Sequence, residues 1–84
     1  MTYDIIFSDR AFREFKKLEK NVQERIISVL ERIRVRPSAY VTKLVGEPGY
    51  KLRVSDYRVI MDIDNKRLII LVLKVGLRKN IYDR

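Results

Sequence analysis

The chain has 84 residues and a formal net charge of +8, from 19 Lys and Arg against 11 Asp and Glu, which leaves room for one domain, residues 1–84, and points to a polyanionic partner. It contains no cysteine and no histidine, so disulfides and thiol chemistry are excluded, the usual zinc ligands and general base are missing, and neither metal nor cofactor is expected. The longest apolar run, Leu68 to Leu73, is too short to cross a membrane, and Met1-Thr2-Tyr3-Asp4 lacks the basic-then-apolar pattern of a signal peptide, so a soluble, cytoplasmic protein is expected.

Tyr3 to Phe7 reads as a first strand, with Ile5 and Ile6 expected to be buried on both faces. Ser8 is a good N-cap and Asp9 suits the helix dipole. Ala11, Phe12, Phe15 and Leu18 follow at helical spacing and predict an amphipathic helix of about three turns. Asn21 is expected to open a second helix, with Glu24 completing a capping-box-like pair. Val22, Ile26, Val29, Leu30 and Ile33 form one helical face, and Pro37 predicts a stop at about Arg36. The tight connection makes the two helices an antiparallel hairpin. Their cations, including Arg32, Arg34 and Arg36, read most simply as solvated faces, and Arg13 with Glu14 and Lys17 mixes both signs.

Pro37 to Gly49 is the one long irregular connection, with Leu44 expected to dip into the core. After it, Tyr50-Lys51-Leu52-Arg53-Val54 alternates at period two, as does Tyr57-Arg58-Val59 onward. Ser55-Asp56 can serve as a two-residue loop between them. In that register Val54 faces Tyr57, Arg53 faces Arg58, and Lys51 faces Ile60. Lys51, Arg53 and Arg58 then share one face of the sheet, while Tyr50, Leu52, Val54, Tyr57 and Val59 take the other. Directly opposed like charges destabilise a strand pair, so the arrangement makes sense if an anion sits between the arginines. A second turn at Asn65-Lys66 would place Leu73 beside Arg58, and one at Asp64-Asn65 would place Leu71 there. Arg67 to Val75 is apolar on both faces and is expected to be the central, most buried strand.

Strand, helix pair and three-stranded meander, closing on a short basic and aromatic tail, resemble the RelE/ParE superfamily of toxins from toxin–antitoxin systems. The resemblance spans nearly the whole chain. It is carried by Lys43-Leu44-Val45-Gly46, Tyr50-Lys51-Leu52-Arg53 with Tyr57-Arg58, and Val75-Gly76-Leu77-Arg78, and it is closest to the RelE branch. It implies an α+β fold, with an N-terminal strand and an antiparallel helix hairpin packed on a mainly antiparallel four-stranded sheet. It also implies a ribosome-dependent endoribonuclease that cuts messenger RNA in the A site. The implied partners are a RelB-like antitoxin, in a heterodimer or heterotetramer, together with the ribosome and mRNA. The implied catalytic set is Lys51, Arg53, Arg58, Arg78 and Tyr82, and Lys43 and Lys79 join the cationic members as RNA-binding residues. Tyr82 follows Arg78 at a shorter interval than the family tyrosine does.

These residue types suit RNA cleavage without histidine. Neighbouring guanidiniums disfavour a lysine ammonium, which makes Lys51 the credible proton acceptor. The arginines are permanent, forked donors for phosphate oxygens, and Tyr82 can stack on a base or orient the phosphate. From the residues alone, a phosphate-binding groove without chemistry is the simpler reading. The resemblance turns the balance toward the nuclease. A non-catalytic ParE-like toxin acting on DNA gyrase is the alternative, as is an inactive relative that only binds an antitoxin.

Overall fold

The computed structural model describes residues 1–77. The first strand, β1 (Asp4–Phe7), lies parallel to the last, β5 (Ile69–Leu77), and pairs Asp4 with Ile69 through Phe7 with Val72. Everything between them either covers one face of this pair or extends the sheet on the far side of β5. The sheet has five strands in the order β1-β5-β4-β3-β2, with β2 at Thr42–Lys43, β3 at Tyr50–Val54 and β4 at Tyr57–Asp64. All contacts except β1 with β5 are antiparallel. The four-stranded expectation is therefore one strand short. The addition is the two-residue β2, which pairs Thr42 with Lys51 and Lys43 with Tyr50. A turn closes this pairing: the Leu44 amide bonds the Gly49 carbonyl at 3.0 Å. Gly49 sits at φ 113, and a Cβ there would come within 3.2 Å of the Met61 carbonyl oxygen, so no other residue fits without strain.

Helix α1 (Asp9–Lys16) is capped by Ser8, whose Oγ accepts the Ala11 amide at 3.1 Å. It is shorter than expected because its last turn tightens: the amides of Lys17 and Leu18 bond three residues back, to Glu14 and Phe15. Helix α2 spans Lys20–Ile33 and starts before Asn21, with Glu19 as an N-cap that makes no side-chain bond. The Asn21–Glu24 capping box does not form. Instead Gln23 reaches back and donates to the Leu18 carbonyl at 2.9 Å, closing the end of α1. The helix also stops at Ile33, earlier than Pro37 requires. There the Arg34 carbonyl accepts the Tyr3 amide at 2.9 Å, and the Arg34 side chain donates to the Tyr3 carbonyl at 2.7 Å, tying the start of β1 to the end of α2.

The core lies between the helices and one sheet face. Ala11, Ile26, Leu30 and Ile33 meet Leu52, Val54, Val59, Met61, Ile70, Val72 and Val75, all of them buried, and Val22, Val29 and Phe15 pack at the margin. Burying such side chains is the main source of stability for a domain of this size. Leu44 is buried as expected, beside Gly49. Phe12 sits off the apolar stripe of α1 and is 50% exposed, edge-on to Phe7 with the Lys16 ammonium 5.3 Å from its ring.

Among the described residues no helix lies on the other sheet face. Ile6 is on it and is 46% exposed, so β1 is buried on one side only. The same holds for β5, where Ile70, Val72 and Val75 are buried and Ile69, Leu71 and Leu73 are only partly so. The middle strand of the sheet is β4, not β5.

Neither expected turn after β4 occurs. Asp64 pairs with Ile69 across a loop of Asn65–Leu68, because the Asp64 carboxylate accepts the Lys66 and Arg67 amides at 3.0 Å each. Leu68 completes the reversal at φ 58. A bulge at Leu73 then shifts the register between Ile60 and Met61. Together these bring Gly76, rather than Leu71 or Leu73, opposite Arg58.

Candidate active site

The charged hairpin forms in the register that its alternation predicts. Val54 pairs with Tyr57, Arg53 with Arg58, Leu52 with Val59 and Lys51 with Ile60. Burial of Leu52, Val54, Val59 and Met61 pins that register, since a slip of one residue would put cations into the core. Ser55 turns the chain at φ 55, and its hydroxyl accepts a hydrogen bond from Arg25 of α2. The hairpin tip is thus tied to the helical layer.

On the open face, Lys51, Arg53 and Arg58 line one cleft of about 300 Å³ together with Tyr40 and Thr42. That volume is at the lower end for small-ligand sites. Arg53 is exposed, and Lys51 and Arg58 are half-buried. No carboxylate belongs to the lining among the described residues. Such a cleft, formed by three cations and open to solvent, is suited to an anion with several oxygens.

Lys43 pairs with Tyr50, so the pleat turns it away from the face of Lys51, and Thr42 takes the place beside the cleft. Arg78, Lys79 and Tyr82 lie outside the described residues. The last described residue, Leu77, pairs with Tyr57, one step beyond the Gly76–Arg58 pair. Sequence reasoning missed Tyr40 and Thr42. The available signal was the alternation Tyr40-Val41-Thr42, in which Val41 packs against the core and its neighbours are exposed. Among the described residues no group of three or more acidic side chains is placed to hold a metal ion.

A family model described as the ParE toxin of the type II toxin–antitoxin system parDE matches residues 5–82. The chain belongs to the RelE/ParE family. Toxins of this family with RelE names are close in sequence: the mRNA interferase toxin RelE of Escherichia coli is 32% identical over 82 residues, covering 94% of this chain and 86% of that protein. The RelE/ParE fold is matched as well. A mutant of E. coli RelE in the free state superposes with a TM-score of 0.78 at 32% identity, over 95% of this chain and 87% of that one. A toxin–antitoxin complex from Mycobacterium tuberculosis gives a TM-score of 0.85 at 22% identity, over 93% of this chain and 100% of that one, which speaks to fold alone.

Proposed function

We propose that this toxin is an endoribonuclease that cuts messenger RNA in the ribosomal A site through attack by the RNA's own 2′-hydroxyl. The observation that carries the reading is the β3–β4 register, which sets Lys51, Arg53 and Arg58 around one open cleft. The naming of a 32% identical E. coli relative as an mRNA interferase supports it.

In this reading the bond from the 2′-oxygen to phosphorus forms as the bond to the 5′-oxygen breaks. The products are a 2′,3′-cyclic phosphate and a 5′-hydroxyl, the leaving 5′-oxygen taking its proton from solvent water. The 2′-hydroxyl proton passes to Lys51, the one cation of the three that can exist uncharged, whereas guanidiniums stay charged. Arg53 and Arg58 hold the non-bridging oxygens as negative charge builds on them. Arg78 joins them on the phosphate, Lys79 binds the RNA backbone, and Tyr82 stacks on a base or orients the phosphate. No step calls for a metal ion, so a chelator should leave cleavage intact while ribosomal magnesium is maintained.

The proposed partner is a RelB-like antitoxin, in a heterodimer or heterotetramer. A 32% identical E. coli toxin is solved in an intact RelBE toxin–antitoxin complex. An acidic or amphipathic segment would complement the +8 charge. The test is translation on purified ribosomes with mapping of mRNA ends. Cuts within the A-site codon support the reading. Intact mRNA together with inhibited DNA gyrase would move the protein to the ParE type.

A further inference from the structure

We infer that Tyr40 forms a base-stacking subsite beside the phosphate-binding cations, which deepens the nuclease reading and rests on it. Tyr40 follows the short helical turn Pro37–Ala39, and its amide bonds the Pro37 carbonyl at 3.1 Å. That turn is anchored by Pro37, which is fully buried, so the backbone under Tyr40 is held in place. The pairing of Thr42 with Lys51 then brings this segment alongside β3. As a result Tyr40 shares the lining of the cleft with Lys51, Arg53 and Arg58.

The other described tyrosines are occupied by the fold. Tyr3 donates from its hydroxyl to Asn65 at 2.7 Å and packs with Tyr50 against the core, and Tyr57 sits at the hairpin tip, beside Asn21, Val22 and Arg25 of α2. Tyr40 is 51% exposed and is not part of the core cluster. Among the described residues its hydroxyl makes no hydrogen bond that would fix it elsewhere. A flat aromatic ring next to a cationic groove is the combination that binds single-stranded nucleic acid: charges follow the phosphates and the ring takes a base. The ligand class is therefore a nucleobase of single-stranded RNA, next to the phosphate held by Arg53 and Arg58. Because every base has a π-face, the subsite would favour capture of the strand without dictating its sequence.

The chain contains no tryptophan, so Tyr40→Trp creates a single fluorescent reporter at the subsite. Short single-stranded oligoadenylate should quench its emission, while inorganic polyphosphate, which offers charge without bases, should not. No quench by the oligonucleotide, or an equal one by polyphosphate, would overturn the inference. This readout involves no cleavage and so fails separately from the nuclease reading. On ribosomes, Tyr40→Ala should raise KM for mRNA by roughly tenfold with a smaller change in kcat, and Tyr40→Phe should regain most of the loss. A Tyr40→Ala variant with wild-type KM, or one weakened only toward the antitoxin, would also refute it. Melting of each variant checks that the fold is kept.

Discussion

Arg53 and Arg58 stand directly opposite each other across the β3–β4 pair, on the sheet face turned away from α1 and α2. The pairing follows from the apolar residues on the reverse side, because Leu52 and Val59 pair in the next register position and are both buried. The core thus fixes the arginine spacing across the strand pair, and the site inherits that spacing from packing.

Arg58→Ala should cost about 3 kcal/mol of transition-state stabilisation, a loss of roughly a hundredfold or more in cleavage rate. Arg53→Ala should weaken cleavage as well. If the two guanidiniums grip one phosphate, the double variant should lose less than the sum of the single effects. Single-turnover cleavage of mRNA on ribosomes checks this, and strictly additive losses would separate their roles.

A second prediction concerns the end of β5 that leads to the tail. Beyond β1, the exposed edge of β5 is taken over by α1: Glu14 Oε1 accepts the Val75 amide at 2.9 Å, and Arg10 holds Oε2 at 3.2 Å. Val75 pairs with Val59, one residue before the Gly76–Arg58 pair. Glu14→Ala should leave that part-buried amide without its acceptor, costing about 1–3 kcal/mol. Glu14→Gln should keep most of the stability. Hydrogen exchange at the Val75 amide should quicken in the alanine variant, and unchanged exchange would show that the carboxylate is not needed there.

The acid dependence of the β4–β5 turn should trace to Asp64. The Arg67 and Lys66 amides that its carboxylate accepts, together with the Arg67 charge, hold it below the usual carboxylate value. A lowered folded-state value means that the stabilisation is present above the ordinary carboxylate range and lost as pH falls through the folded value. Asp64→Asn keeps an acceptor for both amides but not the charge. Its melting temperature should lie below wild type at about pH 6 and approach it at about pH 2. A constant gap across that range would count against the charge.

How far the sequence went depended on how local each determinant was. The hairpin and the α2 face were legible because period-two and period-3.6 patterns leave one choice of buried side for Leu52, Val54, Ile26, Leu30 and Ile33. The turn after β4 was not, since Asp64 captures two amides with its own side chain and the bulge at Leu73 answers to α1 and β4. Strand β2 is only two residues long and depends on a positive φ at Gly49. No pattern within Thr42–Lys43 announces it. Tyr40 enters the cleft through that same pairing, and the short alternation Tyr40-Val41-Thr42 was the one local sign of the aromatic part of the site. The cationic part could be read directly from the spacing of Lys51, Arg53 and Arg58.

Cleavage by Lys51→Arg on programmed ribosomes, compared with wild type and Lys51→Ala under single-turnover conditions, tests most directly whether this cleft does chemistry or only holds phosphate. Arginine keeps the positive charge but removes a group able to deprotonate. If Lys51 accepts the 2′-hydroxyl proton, both variants should be slower by roughly a hundredfold or more while still binding ribosomes, and higher pH should partly rescue Lys51→Ala. Wild-type cleavage by Lys51→Arg would make Lys51 a phosphate anchor and place the proton acceptor elsewhere.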